Sequence, residues 1–321
     1  MRSISLAGAG ATCAVALALA GSAAAKPVPV DLHVEGADGA TTAARYLTDT
    51  TSVSTQENRG CGGSGDRRRL PGKTALGALV DAGRVNQLVA PVGVSDQFDF
   101  GLFVCGIGGD YGNGESSFWL YRVNHVAAQV GSESFKVRRG DDVLWYLSDT
   151  ARNRNTGDEL ELVAPARART GQQFSVTVYA YDLAGVRTPA AGVRVTGGTT
   201  PVTTDASGAA AVTVAEDGDA RLRASLAPNI PDAPVKVCVA ASLSDCPAER
   251  VDKLYGSRRA ERIRGTRGRD VVAAAGGRDV VLVRGGGADF VSCGGGRDFV
   301  RAGRLDTVRR DCEVVRLRGR T

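Results

Sequence analysis

Along most of this chain apolar residues alternate with polar ones, the period-two pattern of half-buried strands. In PVDLHVEG (29–36), Val30, Leu32 and Val34 share one strand face and His33 falls on the other, expected to meet solvent. One short stretch departs from the pattern. In ALGALVDA (75–82), Leu76, Leu79 and Val80 follow i, i+3, i+4, Thr74 can cap the start and Gly83 closes the end, so a helix is predicted. Alternation returns in QFDFGLFVCGI (97–107), SFWLYRVNHVAAQV (117–130) and DVLWYLSD (142–149). Strands with one helix predict a small α+β domain over residues 28–149.

From 156 to 247 the chain reads as strand and turn only: ELELVAP, QQFSVTVYAYD, AGVRVTGG, PVTTDASGAAAVTV, ARLRASL and VKVCVAAS, punctuated by Gly, Pro, Asp and Ser. Short strands at this spacing predict a β-sandwich. The last segment, 251–321, has a longer period. Its acidic positions Glu261, Asp270, Asp279, Asp289, Asp298 and Asp306 recur at intervals of 9, 9, 10, 9 and 8, and an aliphatic residue stands two places after each: Ile263, Val272, Val281, Val291, Val300 and Val308. Glycine clutches such as Gly276-Gly277, Gly285 to Gly287 and Gly294 to Gly296 precede the carboxylates and supply the positive φ that a tight bend requires. A single bend cannot bury its aliphatic residue, so the repetition predicts a stacked parallel β-roll. The fold class is therefore mainly β and multidomain.

Each segment resembles a known family. TALGALVDAG, FGLFVCGIGG, FWLYRVNHVAAQVG and VRRGDDVLWYLSD resemble the transcobalamin-like carboxy-terminal domain, with Trp119, Tyr121, Val123, Asn124, Gly140, Asp141, Trp145 and Tyr146 in matching places and His125 where that family has Gly. The resemblance implies a fold and, through the family's cobalamin carriers, a corrinoid-like ligand as one reading. The 156–247 segment resembles bacterial immunoglobulin-like domains, commonly spacers, without the Cys…Trp…Cys core of the antibody branch. The 251–321 repeats resemble the hemolysin-type (RTX) calcium-binding nonapeptides. That resemblance implies Ca²⁺ ligation by Asp270, Asp279, Asp289, Asp298 and Asp306 with turn carbonyls, since Ca²⁺ takes roughly six to eight oxygens. The chain departs from the family in placing Arg269, Arg278, Ala288 and Arg297 just before the carboxylate. An arginine there opposes a cation unless its guanidinium swings outward. A metal-free roll held by valines, Arg–Asp pairs and a disulfide is the competing reading.

Composition narrows the setting. Arg2, an apolar stretch through Val15–Leu19 and Ala23-Ala24-Ala25 form a secretory signal pattern over 1–25, and no second apolar segment predicts a membrane span. Six cysteines remain beyond it. They allow 15 pairings, of which nearest-neighbour pairing gives Cys61–Cys105, Cys238–Cys246 and Cys293–Cys312. No CxxC or Cys/His cluster favours a metal instead. Residues 251–321 hold 16 Arg and Lys253 against nine acids, net +8, in a chain of net +5. For an exported protein such a tail suits a cell-wall polymer or polysaccharide better than nucleic acid, or serves only to keep a Gly-rich array soluble.

Catalytic groupings are missing from the sequence. His33 and His125 have no companions at triad or metal spacing, and neither G-x-S-x-G nor H-E-x-x-H occurs. A binding surface is offered by Phe103, Tyr111, Trp119, Tyr121 and Asn124 around the Gly106–Gly114 loop, unless Trp119 and Trp145 simply form the core. The expected protein is a secreted, non-catalytic binding or surface-association protein with a calcium-binding-type tail. The other reading is a small-ligand carrier with a structural tail.

Overall fold

The computed structural model describes residues 27–50, 52–56, 61–246, 252–266, 268–283, 289–303 and 306–317. The signal pattern and the Gly285 to Gly287 clutch lie outside them. The molecule is mainly β and multidomain, with one helix among the described residues.

The alternating strand Val28–Gly36 pairs antiparallel with Gly39–Thr48 and parallel with Asp142–Asp149, which pairs in turn with Ser117–Val123. One face of this sheet carries Val30, Leu32, Val34, Val143 and Trp145, and the helix Ala75–Val85 packs there through Leu76 and Leu79. Thr74 caps the helix by accepting from Gly77 N (3.1 Å). The helix does not stop at Gly83, however. It runs to Val85, and the Asn86 N–H returns to Ala82 O. Gly83 is needed for space instead, since a Cβ there would stand 2.9 Å from Val92 Cγ2. The 97–107 run is a hairpin, Val92–Phe98 against Gly101–Ile107, and the 117–130 run breaks at Asn124-His125, both at positive φ, before Val126–Ala127.

Residues 159–240 form two facing sheets. Glu159–Val163, Gln173–Tyr181, Arg187–Pro189 and Ala209–Thr213 make one, and Arg167–Arg169, Val235–Ala240, Gly218–Ser225, Arg194–Thr196 and Val202–Thr203 the other. Leu160, Val176, Val178, Val195, Val212, Leu222, Val237 and Val239 fill the space between them. This sandwich covers the second face of the first sheet, where Leu144 and Tyr146 meet Ile230. His33 is consequently not on a solvent face. Its side chain is 12% exposed, 3.8 Å from Glu35, because the sandwich lies over that side of the strand.

The tail coils as a parallel roll. Asp252–Tyr255, Asp270–Ala273, Phe290–Ser292 and Thr307–Val308 stack in one sheet, and Arg262–Arg264, Val280–Leu282, Phe299–Ala302 and Val314–Leu317 in the other. Ile263, Val272, Val281, Val291 and Val300 all point inward and are at most 4% exposed. The first of these sheets does not end with the roll. Asp252–Tyr255 pairs in parallel with Gly39–Thr48, matching Arg45 to Leu254 and Tyr46 to Tyr255, so nine strands run continuously from the first domain into the tail.

Candidate functional site

Because strands of the roll alternate between two sheets, bends that touch in space are every second bend in sequence. The carboxylates accordingly form two columns. In one, Glu261 N donates to Asp279 Oδ1 (2.8 Å), Asp279 N to Asp298 Oδ1 (2.7 Å) and Asp298 N to Glu313 Oε2 (2.7 Å). In the other, Asp270 N donates to Asp289 Oδ1 (2.8 Å) and Asp289 N to Asp306 Oδ1 (3.1 Å). Asp279, Asp289, Asp298, Asp306 and Glu313 thus each satisfy a main-chain N–H of the preceding coil, a role that needs an acceptor at that one position. Glu261, Asp270, Asp279, Asp289 and Asp298 are all buried.

The five predicted ligands differ in what remains for a cation. Asp270 gives both oxygens to its own bend, to Thr266 N (2.8 Å) and Thr266 Oγ1 (2.9 Å). Asp306 accepts from Asp289 N and from Gly303 N (2.6 Å). Asp279 Oδ2 and Asp298 Oδ2, by contrast, are buried and have no hydrogen-bond partner among the described residues. Burial, reinforced by the Glu261 and Asp298 charges, pushes Asp279 up to about 7, and burial pushes Glu261 up to about 7. Two buried acceptors lacking donors suit a hard cation. No cluster of three or more His, Cys, Asp or Glu side chains occurs among the described residues, so further ligands there would be main-chain oxygens. Gly277 N donates to Gly295 O and Gly295 N to Ala275 O, which engages part of that carbonyl set within the bend stack.

Arg269, Arg278 and Arg297 are exposed, and no ion pair joins them to a carboxylate among the described residues. The expected Arg–Asp pairs are replaced by the Asp-to-amide columns. The Cys293–Cys312 bridge ties two stacked coils, alongside Cys61–Cys105 and Cys238–Cys246. The sequence reading missed Glu313, which continues the first column with Val315 two places on. Its interval of seven from Asp306 breaks the period, although the acid-x-aliphatic signature is present.

The proposed aromatic surface does not assemble. Trp119 is 3% exposed in the core, with Nε1 donating to Asp110 O (3.0 Å). Tyr121 stacks on Trp145 (5.1 Å) and donates to Val130 O (2.6 Å). Tyr111 packs against Gly106 of the neighbouring strand. Asn124 holds a turn through Asp141 and the Asp142 N–H. Phe103 is half-buried, as Tyr111 and Tyr121 are, and packs edge-on to Phe98 (5.5 Å) and Phe118 (6.5 Å), while Asn124 is exposed. Trp119 is drawn inward by its large apolar area, so the predicted binding set loses its largest ring to the core, the alternative that the sequence also offered.

The seam between the first domain and the sandwich gathers both histidines. Arg122, fully buried, donates to Tyr181 O (3.1 Å), Asp182 O (3.0 Å) and Gly157 O (3.1 Å). His125 Nδ1 lies 2.8 Å from Glu159 Oε1 and its ring stacks on Tyr181 at 3.8 Å. Glu35, 2% exposed, accepts from Arg223 (2.5 Å). These charges pair across the seam and hold two domains together.

Comparison with known families agrees with two parts of this description. Residues 72–149 match the model of a domain of unknown function, DUF4430, a transcobalamin-like domain family. Residues 255–286 match the RTX calcium-binding nonapeptide repeat, in four copies. No curated protein and no solved structure matches the chain.

Proposed function

We propose that this is a secreted, non-catalytic surface-association protein whose calcium-type roll is a rigid extension of its first domain. The immunoglobulin-like sandwich braces one face of that first domain. Three disulfides and the repeat family suit an extracellular setting. The observation that carries the proposal is the pair of buried, partnerless oxygens, Asp279 Oδ2 and Asp298 Oδ2, on stacked bends of a chain that matches the calcium-binding repeat. Ca²⁺ bound there would be held by these two carboxylates with main-chain oxygens. Its double charge would offset the cost of burying two ionised groups side by side.

Thermal unfolding of the full chain with about 5 mM Ca²⁺ or with chelator tests this, in the range of extracellular calcium modules. Ca²⁺ should raise Tm. Asp279→Asn with Asp298→Asn should abolish the rise, whereas Asp306→Asn, whose acid already serves two N–H groups, should retain it. An equal Tm with and without Ca²⁺ in the unaltered protein would sink the calcium reading and leave a roll held by its amide columns alone.

A further inference from the structure

The roll sorts its charges by depth. Of the acids described in it, five are buried against main-chain amides, while its arginines are exposed. The parallel register then arranges those arginines. On the outer face of the four-stranded sheet, Arg264, Leu282, Arg301 and Arg316 stand in one column, and Arg262, Val280, Phe299 and Val314 in the next. Successive strands are about 4.8 Å apart, so Arg301 and Arg316 are like charges in adjacent rows. That arrangement is unfavourable unless something anionic lies over it. Arg278 and Arg297, from stacked bends beside the same sheet, are also exposed. Among the described residues no ion pair joins Arg262, Arg264, Arg278, Arg297, Arg301 or Arg316 to a carboxylate, whereas Arg259 meets Asp49 (3.2 Å). The acid on this side is Glu313, which accepts from Asp298 N.

We infer that this face binds a linear acidic polysaccharide, with the guanidinium column gripping successive carboxylates. The inference rests on the surface-association reading and gives it a partner. Three features choose the partner. The charges form a row on a rigid sheet, so a chain with regularly repeated anions can meet several at once. Arginine presents a planar fork that matches a carboxylate bidentately. Between the arginines the half-buried Val280 and Val314 offer apolar side chains that can lie against the C–H face of a sugar, with Leu282 buried beneath. Nucleic acid is the poorer fit, because single strands need open aromatic faces for base stacking. The aromatic residue of this face, Phe299, has Arg316 over its ring at 5.5 Å.

The test uses the full chain on immobilised polygalacturonate, with Kd measured at about 50 and about 300 mM NaCl. Binding should weaken with salt. Arg301→Gln with Arg316→Gln should weaken it roughly tenfold or more at the lower salt, the matching Lys pair less, and Arg187→Gln on the sandwich not at all. Should the double variant misfold by circular dichroism, the single variants Arg264→Gln and Arg316→Gln replace it, each expected to lose about threefold. No binding at low salt, Gln variants that bind as well as the parent, or tighter binding to duplex DNA of equal charge would each overturn the inference. Running the titration with Ca²⁺ and with chelator separates the two proposals. Polymer binding that survives in a protein insensitive to Ca²⁺ removes the calcium site and keeps the arginine face.

Discussion

At the residue scale the roll depends on close contact between bends, and Gly296 shows how close. Its φ is +140°, and a Cβ added there would overlap the carbonyl oxygen of Gly277 in the stacked bend. Gly295 next to it has no atom within 4 Å of such a Cβ. Gly296→Ala should therefore cost more than ~2 kcal/mol and speed hydrogen exchange at the Val281 and Val300 amides, while Gly295→Ala should change stability by less than ~0.5 kcal/mol. Equal effects would mean that glycine flexibility, rather than contact, governs the bend. Much of this scale could be read in advance. The aliphatic residue two places after each acid announced its inward position, since only that register fills a narrow core. What the carboxylates bind could not be read, because Asp270 and Asp279 occupy the same place in the repeat and differ only through Thr266, a local hydroxyl that closes one bend and not the other.

At the element scale, alternation identified strands but not their partners. Gly39–Thr48 went unrecognised because Ala43 and Ala44 blur its apolar face, yet it is the strand on which the tail docks. The repeats predicted the roll but not its docking, since their period says nothing about what pairs with the first coil. In the fold, Tyr255 stacks on Tyr46 at 5.0 Å, the Tyr46 hydroxyl accepts from Asn86 (2.7 Å) and Leu47 packs into the roll core. Tyr255→Ala removes that stack and should cost ~2 kcal/mol. Exchange should quicken at the amides of 252–255 and 270–273, with those of 173–181 in the sandwich unchanged. If the roll amides exchange at the parent rate, the shared sheet contributes little and the tail stands by itself.

At the scale of the whole molecule, three bodies are joined by two different chemistries: a continuous sheet between the first domain and the roll, and buried charge between the first domain and the sandwich. Neither follows from strand patterning. Arg122 in SFWLYRV sits where a solvent-facing residue belongs, and no sequence period marks a strand face that another domain will cover. The buried charge makes that seam sensitive to pH. Asp142 faces Glu159 and Asp31 as well as His33 and His125, with Arg122, Glu35, Arg223 and Asp232 close by in the same seam. Burial and the Glu159 charge push it up to about 6. His125 is raised by its hydrogen bond to Glu159, against the effect of its own burial. Both shifts have the same sign of consequence. A carboxyl whose folded pKa is raised contributes fully below its unfolded value and loses that contribution as pH climbs through about 6. A raised histidine contributes fully below its unfolded value near 6.5 and loses that as pH climbs through its folded one. Alkalinisation from pH 5 to pH 8 should therefore weaken the seam by roughly 2 kcal/mol and lower Tm by on the order of 5 °C. Buried roll carboxyls slope the same way, so the variants isolate the seam. Asp142→Asn should flatten the profile and raise stability at pH 8 relative to the parent, and His125→Gln should lower it at pH 5 with little change at pH 8. Curves for parent and Asp142→Asn that stay parallel across this range would show that the seam does not titrate, and the charges there would then serve alignment of the two domains alone.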